Sequence, residues 1–323
     1  MKHDFTNPEL TQHATESADS YRIYGRIEDA AAPVIISSPH SGVEYPDDFH
    51  YACSLSKLRK LEDSYIDELS QSAIDLNIPM ITARIPRSYL DLNRAANAID
   101  PLQTSSGLSI LDGDPDDKNV SRGSGLFATV SQLRKFNIFE NADELPSEAE
   151  LNRRLMTYYY PYHGKLTDMI LRMKERFGKV FLIDMHSCDT VGTIDRDDLS
   201  KMGERPDIII SNDFNQRSGA AFADALTQEF EKYGLTVWRD NPFLGGHITR
   251  QYGRPEQNIE SIQIEVTKKY MDENDFTKAE SFEKMKAILG MVFEKASRHA
   301  LDHIPATRQK HQPRLPDILE PAA

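Results

Sequence analysis

Val180-Phe-Leu-Ile-Asp-Met-His-Ser187 begins with four apolar residues and then sets an acid, a methionine and a histidine ahead of a serine. A run this short, opened just after Gly178, reads as a strand buried on both faces, because a helix needs ten or more residues to close its own bonds. The same form recurs upstream. Pro33-Val-Ile-Ile-Ser-Ser38 runs straight into the turn-forming Pro39-His-Ser-Gly42. Asp207-Ile-Ile-Ile-Ser211, Leu235 to Trp238 and Ser261 to Thr267 complete the set of apolar runs, and Pro79 to Arg84 and Tyr89 to Asn93 also read as extended. Between them the spacing turns helical. Leu58, Leu61, Tyr65, Ile66, Leu69 and Ala73 recur on one face of Ser56 to Asn77. Ser147 and Glu150 form a capping box that opens a helical stretch, interrupted near Pro161 and closed at Gly178. Phe214 to Tyr233 and Thr277 to His303 read as two more helices. Strands alternating with helices predict an α/β fold, a three-layer sandwich around a mostly parallel or mixed sheet. One domain is expected over 31–303. A polar, loosely tied arm (1–30) precedes it and a Pro-rich tail (304–323) follows, with a long loop from Ala96 to Ser124.

Charge narrows the partners. The 323 residues carry 51 acids against 38 lysines and arginines, a formal charge of -13 with no basic run. That balance repels nucleic acid and anionic membrane. No apolar run approaches the ~20 residues that span a bilayer, and the polar start lacks a signal-peptide pattern. Cys53 and Cys188 form neither a disulfide framework nor a C-x-x-C pair. A reduced, cytoplasmic protein acting on a small molecule is the expectation. An anionic small molecule would need arginines placed locally.

Ligands of open α/β sheets gather beyond the carboxyl ends of the strands. His40 and His186 both occupy such ends, and each is followed by serine. A strand-end histidine is often only a structural hydrogen-bonder, but two together suggest a shared metal. A hydrolytic zinc typically takes two histidines and a carboxylate and leaves one position for water. Near His40 the acids are Glu44, Asp63 and Asp67, and spacing alone does not choose among them. Asp184 lies two residues before His186, on the same strand face, where it can orient the imidazole. In Ile262-Gln-Ile-Glu-Val266, Gln263 and Glu265 share the face opposite the aliphatics; a carboxylate there is either exposed, paired or catalytic. Asp91-Leu-Asn-Arg94 repeats the alternation, and Arg87 stands seven residues before Arg94, so two guanidiniums can converge on a carboxylate. There is no G-x-S-x-G elbow, Walker loop or G-x-G-x-x-G after a strand. Cys188 reads as a packed residue, and Tyr158 to Tyr160 as pocket or core wall.

Taken in order, Pro39-His-Ser-Gly, Asp63 with Asp67-Glu-Leu, Arg87 before Asp91-Leu-Asn-Arg, Pro161-Tyr-His, Asp184-Met-His-Ser, Gly245-Gly-His-Ile-Thr-Arg-Gln-Tyr-Gly and Gln263-Ile-Glu resemble the N-formylglutamate amidohydrolase family. The resemblance runs from about Pro33 to Met271. It implies a zinc carboxypeptidase-like (phosphorylase/hydrolase-like) fold, shared with aspartoacylases, and a metal-dependent hydrolase of linear amides. It also implies one Zn2+ per chain held by His40, Asp63 and His186, with Glu265 as general base. Arg87, Asn93, Arg94 and Arg250 would bind substrate, and Asp184 and Gln263 would stand behind the reacting groups. The implied partner is a small anionic N-acyl amino acid such as N-formyl-glutamate, cleaved to formate and the amino acid. A deacylase of another N-acyl amino acid, a carboxypeptidase-like hydrolase and a non-catalytic metal- or carboxylate-binding relative are the alternatives.

Overall fold

The computed structural model describes residues 3–105, 107, 119–131, 136–192, 198–201, 203–272 and 277–305. Eight strands form its main sheet: β1 (Ala14–Ser17), β2 (Tyr21–Tyr24), β3 (Val34–Ser38), β4 (Met80–Ala83), β5 (Val180–Cys188), β6 (Ile208–Ser211), β7 (Val237–Arg239) and β8 (Ile259–Thr267). Their spatial order is β7-β6-β8-β5-β3-β4-β2-β1. The central four, β8, β5, β3 and β4, run parallel. The pair β6–β7 is parallel within itself and antiparallel to β8, and β2 is antiparallel to both β4 and β1.

Every residue of β3, β5 and β8 is buried, as expected of central strands covered on both faces. One face carries Ile35, Val180 and Leu182 and packs against Leu166, Met169 and Met173 of a long helix, α1 (Tyr160–Phe177). The other carries Val34, Ile36, Ile183, Met185 and Ile264. It packs against α2 (Ala220–Lys232) and the closing helix α4 (Phe282–Asp302). A short helix, α3 (His247–Tyr252), precedes β8. The result is the mixed α/β sandwich that the alternation of elements predicts.

Four local expectations are corrected. Residues 14–17 and 21–24, expected in a loose arm, are instead two strands at the sheet edge, and Tyr21, Ile23 and Tyr24 are buried there. Tyr89–Asn93 is a set of turns: Pro86 O accepts the Tyr89 amide at 2.9 Å and Asp91 Oδ1 accepts the Asn93 amide at 2.8 Å. This side-chain bond offers the backbone an alternative to a strand ladder. The helical spacing of Ser56–Asn77 resolves into three short pieces, Leu55–Arg59, Ile66–Leu69 and Ser72–Asp75. The interruption expected near Pro161 is a change of helix type, not a break, since Tyr159 before α1 is itself in helical conformation. The irregularity is a π-helical turn over Leu155–Tyr159, immediately before it. Residues 106 and 108–118 of the long loop and 306–323 of the Pro-rich tail lie outside the described residues.

Candidate active site

Because β8, β5 and β3 are neighbours, their carboxyl ends lie side by side. Glu265 is the register partner of His186, Gln263 of Asp184, and Ser37 of Asp184 on the other side. Strand alternation puts Asp184 and His186 on the face shared with Val180 and Leu182, the α1 side. His40 lies two residues beyond β3. Its carbonyl accepts the Asp63 amide at 3.0 Å, which brings the 62–65 turn beneath the same end of the sheet. Tyr65, at φ 65°, adopts the left-handed conformation that redirects the chain into the Ile66–Leu69 helix.

The ligand atoms of His40, Asp63 and His186 all lie within 4.8 Å of one another, and all three residues are buried. Both imidazoles are held in one orientation. His40 Nε2 meets Asp91 Oδ1 at 2.7 Å, and His186 Nε2 meets Asp184 Oδ2 at 2.9 Å. A carboxylate only accepts, so each Nε2 donates its hydrogen to its aspartate; a metal beside Asp63 would then be offered the lone pair of each Nδ1, whereas without one His186 Nδ1 carries a proton toward Asp63. Both Nδ1 atoms face Asp63 Oδ2, at 3.3 Å from His40 and 2.9 Å from His186, and His40 Nδ1 makes no hydrogen bond. Three lone-pair donors converging in a buried place call for a cation, either a proton or a metal. Burial alone would lower the His186 pKa, but Asp184 and Asp63 outweigh it and hold it well above 6.5. Likewise Asp63 would rise on burial, yet His186 and His40 keep it well below the usual carboxylate range. The donor set of two nitrogens and one oxygen, each imidazole backed by a carboxylate, suits a borderline metal such as zinc.

The supports reach further. Asp91 Oδ2 accepts Arg87 Nη2 at 2.8 Å, and that guanidinium, with His40, keeps Asp91 ionised although burial opposes it. Ser37 Oγ donates to Asp184 Oδ1 at 3.0 Å and lies 3.1 Å from the Tyr162 hydroxyl. Ser187 Oγ donates to Asp63 Oδ1 at 3.0 Å. Glu265 has no arginine or lysine partner at salt-bridge distance among the described residues; burial, only partly offset by His186, pushes its pKa up to about 7. Gln263 Nε2 donates to Glu265 Oε1 at 2.7 Å, while Gln263 Oε1 accepts the Gly246 amide at 2.6 Å.

Thus the structure brings together His40, Asp63, His186, Asp184, Asp91, Glu265 and Gln263. Glu44 is elsewhere engaged: Arg84 grips it with two bonds of 2.8 and 2.7 Å, and Arg22 lies 2.6 Å away. Arg87 borders the cluster through Asp91, and the charges of Asp63 and Glu265 also act on it. Arg94 donates to Ser124 O at 2.9 Å and to Asn93 O at 3.0 Å, and its charge acts on Asp91 and His247. Arg250 is exposed on α3. Asn93, expected to bind substrate, has its amide taken up inside the protein by Asp184 and by the Ile248 amide. Four contributors were given no role by the sequence, Tyr159 being read only as pocket or core wall and Tyr162 and His163 only as part of a motif. Ser37 and Tyr162 brace Asp184, and Tyr159 lies 3.2 Å from His247 Nε2 while its hydroxyl donates to Arg94 O. His163 joins Leu92 O to the Tyr252 hydroxyl, both at 2.9 Å. The one available signal was the Pro161-Tyr-His motif.

A mixed α/β sandwich with a buried His-Asp-His cluster at the carboxyl ends of its parallel strands defines a hydrolase of the metal-dependent amidohydrolase class. Residues 32–271 match the family model described as N-formylglutamate amidohydrolase, and the chain belongs to that family. It is similar to an N-formylglutamate deformylase of Pseudomonas putida, 29% identical over 253 residues that cover 75% of this chain and 83% of the relative. A deformylase of the same description from Pseudomonas aeruginosa is 28% identical over 249 residues, again 75% of this chain and 83% of the relative. Among solved structures, an N-formylglutamate amidohydrolase from Ralstonia eutropha JMP134 superposes with a TM-score of 0.81 at 26% identity, covering 88% of this chain and all of the other.

Proposed function

We propose that this chain is a zinc-dependent deformylase that hydrolyses the N-formyl amide of N-formylglutamate, or of a closely similar N-acyl amino acid, to formate and the free amino acid. The observation that carries the reading is the pair of carboxylate-held imidazoles, both turning Nδ1 toward Asp63, with Glu265 one strand away. His40, Asp63 and His186 would hold the metal. When bound, zinc supplies a Lewis acid for the scissile carbonyl and an acidified water.

The chain's own groups do the remainder. Glu265 accepts the proton of the attacking water and returns one to the leaving amine; Gln263 fixes the carboxylate for that transfer. Arg87 and Arg94 supply the positive charge that an acidic protein needs to seat an anionic substrate, and their planar guanidiniums suit carboxylates. Burial of the cluster keeps bulk water away from the transferred proton. The likeness in name and sequence to the Pseudomonas deformylases supports formyl as the acyl group and glutamate as the amino acid.

The test is a panel of N-formyl and N-acetyl amino acids, each assayed with zinc restored after chelation. N-formylglutamate should be turned over fastest, and chelation should abolish turnover reversibly. Preference for a neutral N-acyl amine would contradict the assignment of the arginines.

A further inference from the structure

Asn93 is buried at the centre of the site's hydrogen bonding. Its Oδ1 accepts the Ile248 amide at 2.7 Å, which fixes the orientation of the side-chain amide, since a backbone N–H only donates. The Nδ2 group is thereby turned to Asp184 Oδ2, to which it donates at 3.2 Å, and it lies 2.9 Å from His186 Nε2. The backbone amide of Asn93 donates to Asp91 Oδ1 at 2.8 Å, the same oxygen that holds His40. Asn93 therefore touches both carboxylates that orient the two imidazoles, and also the first turn of α3. Gly246 makes this approach possible: a Cβ there would lie 2.3 Å from Asn93 Nδ2.

We propose that Asn93 is a positioning residue, not a substrate contact, and that it couples the His186–Asp184 pair to α3, so that metal loading and the order of residues 246–252 support each other. The inference rests on the metal reading above. Its physical basis is polarity. With a metal on Nδ1 of His186, Nε2 must carry the ring's hydrogen and point it to Asp184. Asp184 then remains an acceptor for Asn93 Nδ2, and Oδ1 remains available to Ile248. Each bond in the chain fixes the direction of the next, and an effect of metal on α3 requires an equal effect of α3 on metal.

The experiment uses the full chain stripped with chelator and titrated with zinc alone, for wild type, Asn93→Ala and Gly246→Ala. Zinc affinity and amide hydrogen exchange over 246–252 are both read. In wild type, zinc should slow exchange across that segment. Asn93→Ala should bind zinc about 10–100-fold more weakly, the usual effect of removing a group that orients a ligand, and should lose the zinc-dependent protection. Gly246→Ala deletes no polar group but crowds Asn93, so it should err in the same direction and serves if Asn93→Ala does not fold. An Asn93→Ala protein with wild-type zinc affinity and a raised KM alone would overturn the proposal in favour of substrate contact. A wild type that binds no zinc would overturn the metal reading itself, and is seen before any variant is compared.

Discussion

Two of the histidine pairs in this domain, His40 with His186 and His163 with His247, are given opposite characters by their neighbours. His40 and His186 meet carboxylates on both ring nitrogens, and His186 is held well above its ordinary pKa. Among the described residues, His163 and His247 make their hydrogen bonds to neutral groups, a backbone carbonyl and tyrosine hydroxyls. Burial pushes His163 down to about 3, and burial with the Arg94 charge lowers His247. All four are wholly or partly buried, so depth alone does not separate them. A buried imidazole becomes a cation site where acids face it, and a neutral brace where carbonyls and hydroxyls do.

The largest expected effect falls on the acidic side. Glu265→Gln keeps the shape of the side chain but cannot accept a proton, so at matched zinc occupancy kcat should fall about 10²–10⁴-fold. A variant retaining a tenth of wild-type turnover would place the base elsewhere, with Asp67 or His247 next to be examined. A smaller effect follows from Asp184→Asn. Its amide can present an N–H where the carboxylate only accepted, which sets it against His186 Nε2–H; zinc affinity should drop about 10–100-fold, while the melting transition remains cooperative. Unchanged affinity would show that the carboxylate does not orient that imidazole.

The neutral pair is probed by pH. His163 has a depressed folded pKa, about 3, against 6.5 when unfolded. Below 6.5 the unfolded chain therefore binds the extra proton, and stability is lost as pH falls from 6.5 toward 3, by up to about 1.4 kcal/mol per pH unit. His163→Gln can still bridge Leu92 and Tyr252 but does not titrate. Between pH 6.5 and 4 it should lose less stability in urea than wild type does. Parallel curves would mean that His163 is not buried neutral.

The division between the pairs was half legible in the chain. His40 and His186 stood out because each follows a short, largely apolar run, and the strand pattern is a local signal. Asp184 and Gln263 followed from alternation. Asp63 was chosen over Glu44 only through the family motif, since what removes Glu44 is a long-range fact: Arg22 reaches it from β2, a strand next to the sheet edge in a segment read as a loose polar arm. Asp91 was noticed, but its reading as part of a strand concealed the turn that aims it at His40. Ser37, Tyr159, Tyr162 and His163 act through contacts that cross between the sheet, α1 and the loops around it. No local pattern encodes such pairings.

The measurement that bears most directly on the account is zinc content of folded wild type, Asp63→Ala and Glu44→Ala after exhaustive dialysis. One zinc per wild-type chain is predicted, retained in Glu44→Ala, whose carboxylate serves Arg22 and Arg84, and lost in Asp63→Ala, whose oxygen faces both Nδ1 atoms. Stoichiometric zinc in Asp63→Ala together with its loss in Glu44→Ala would contradict the site.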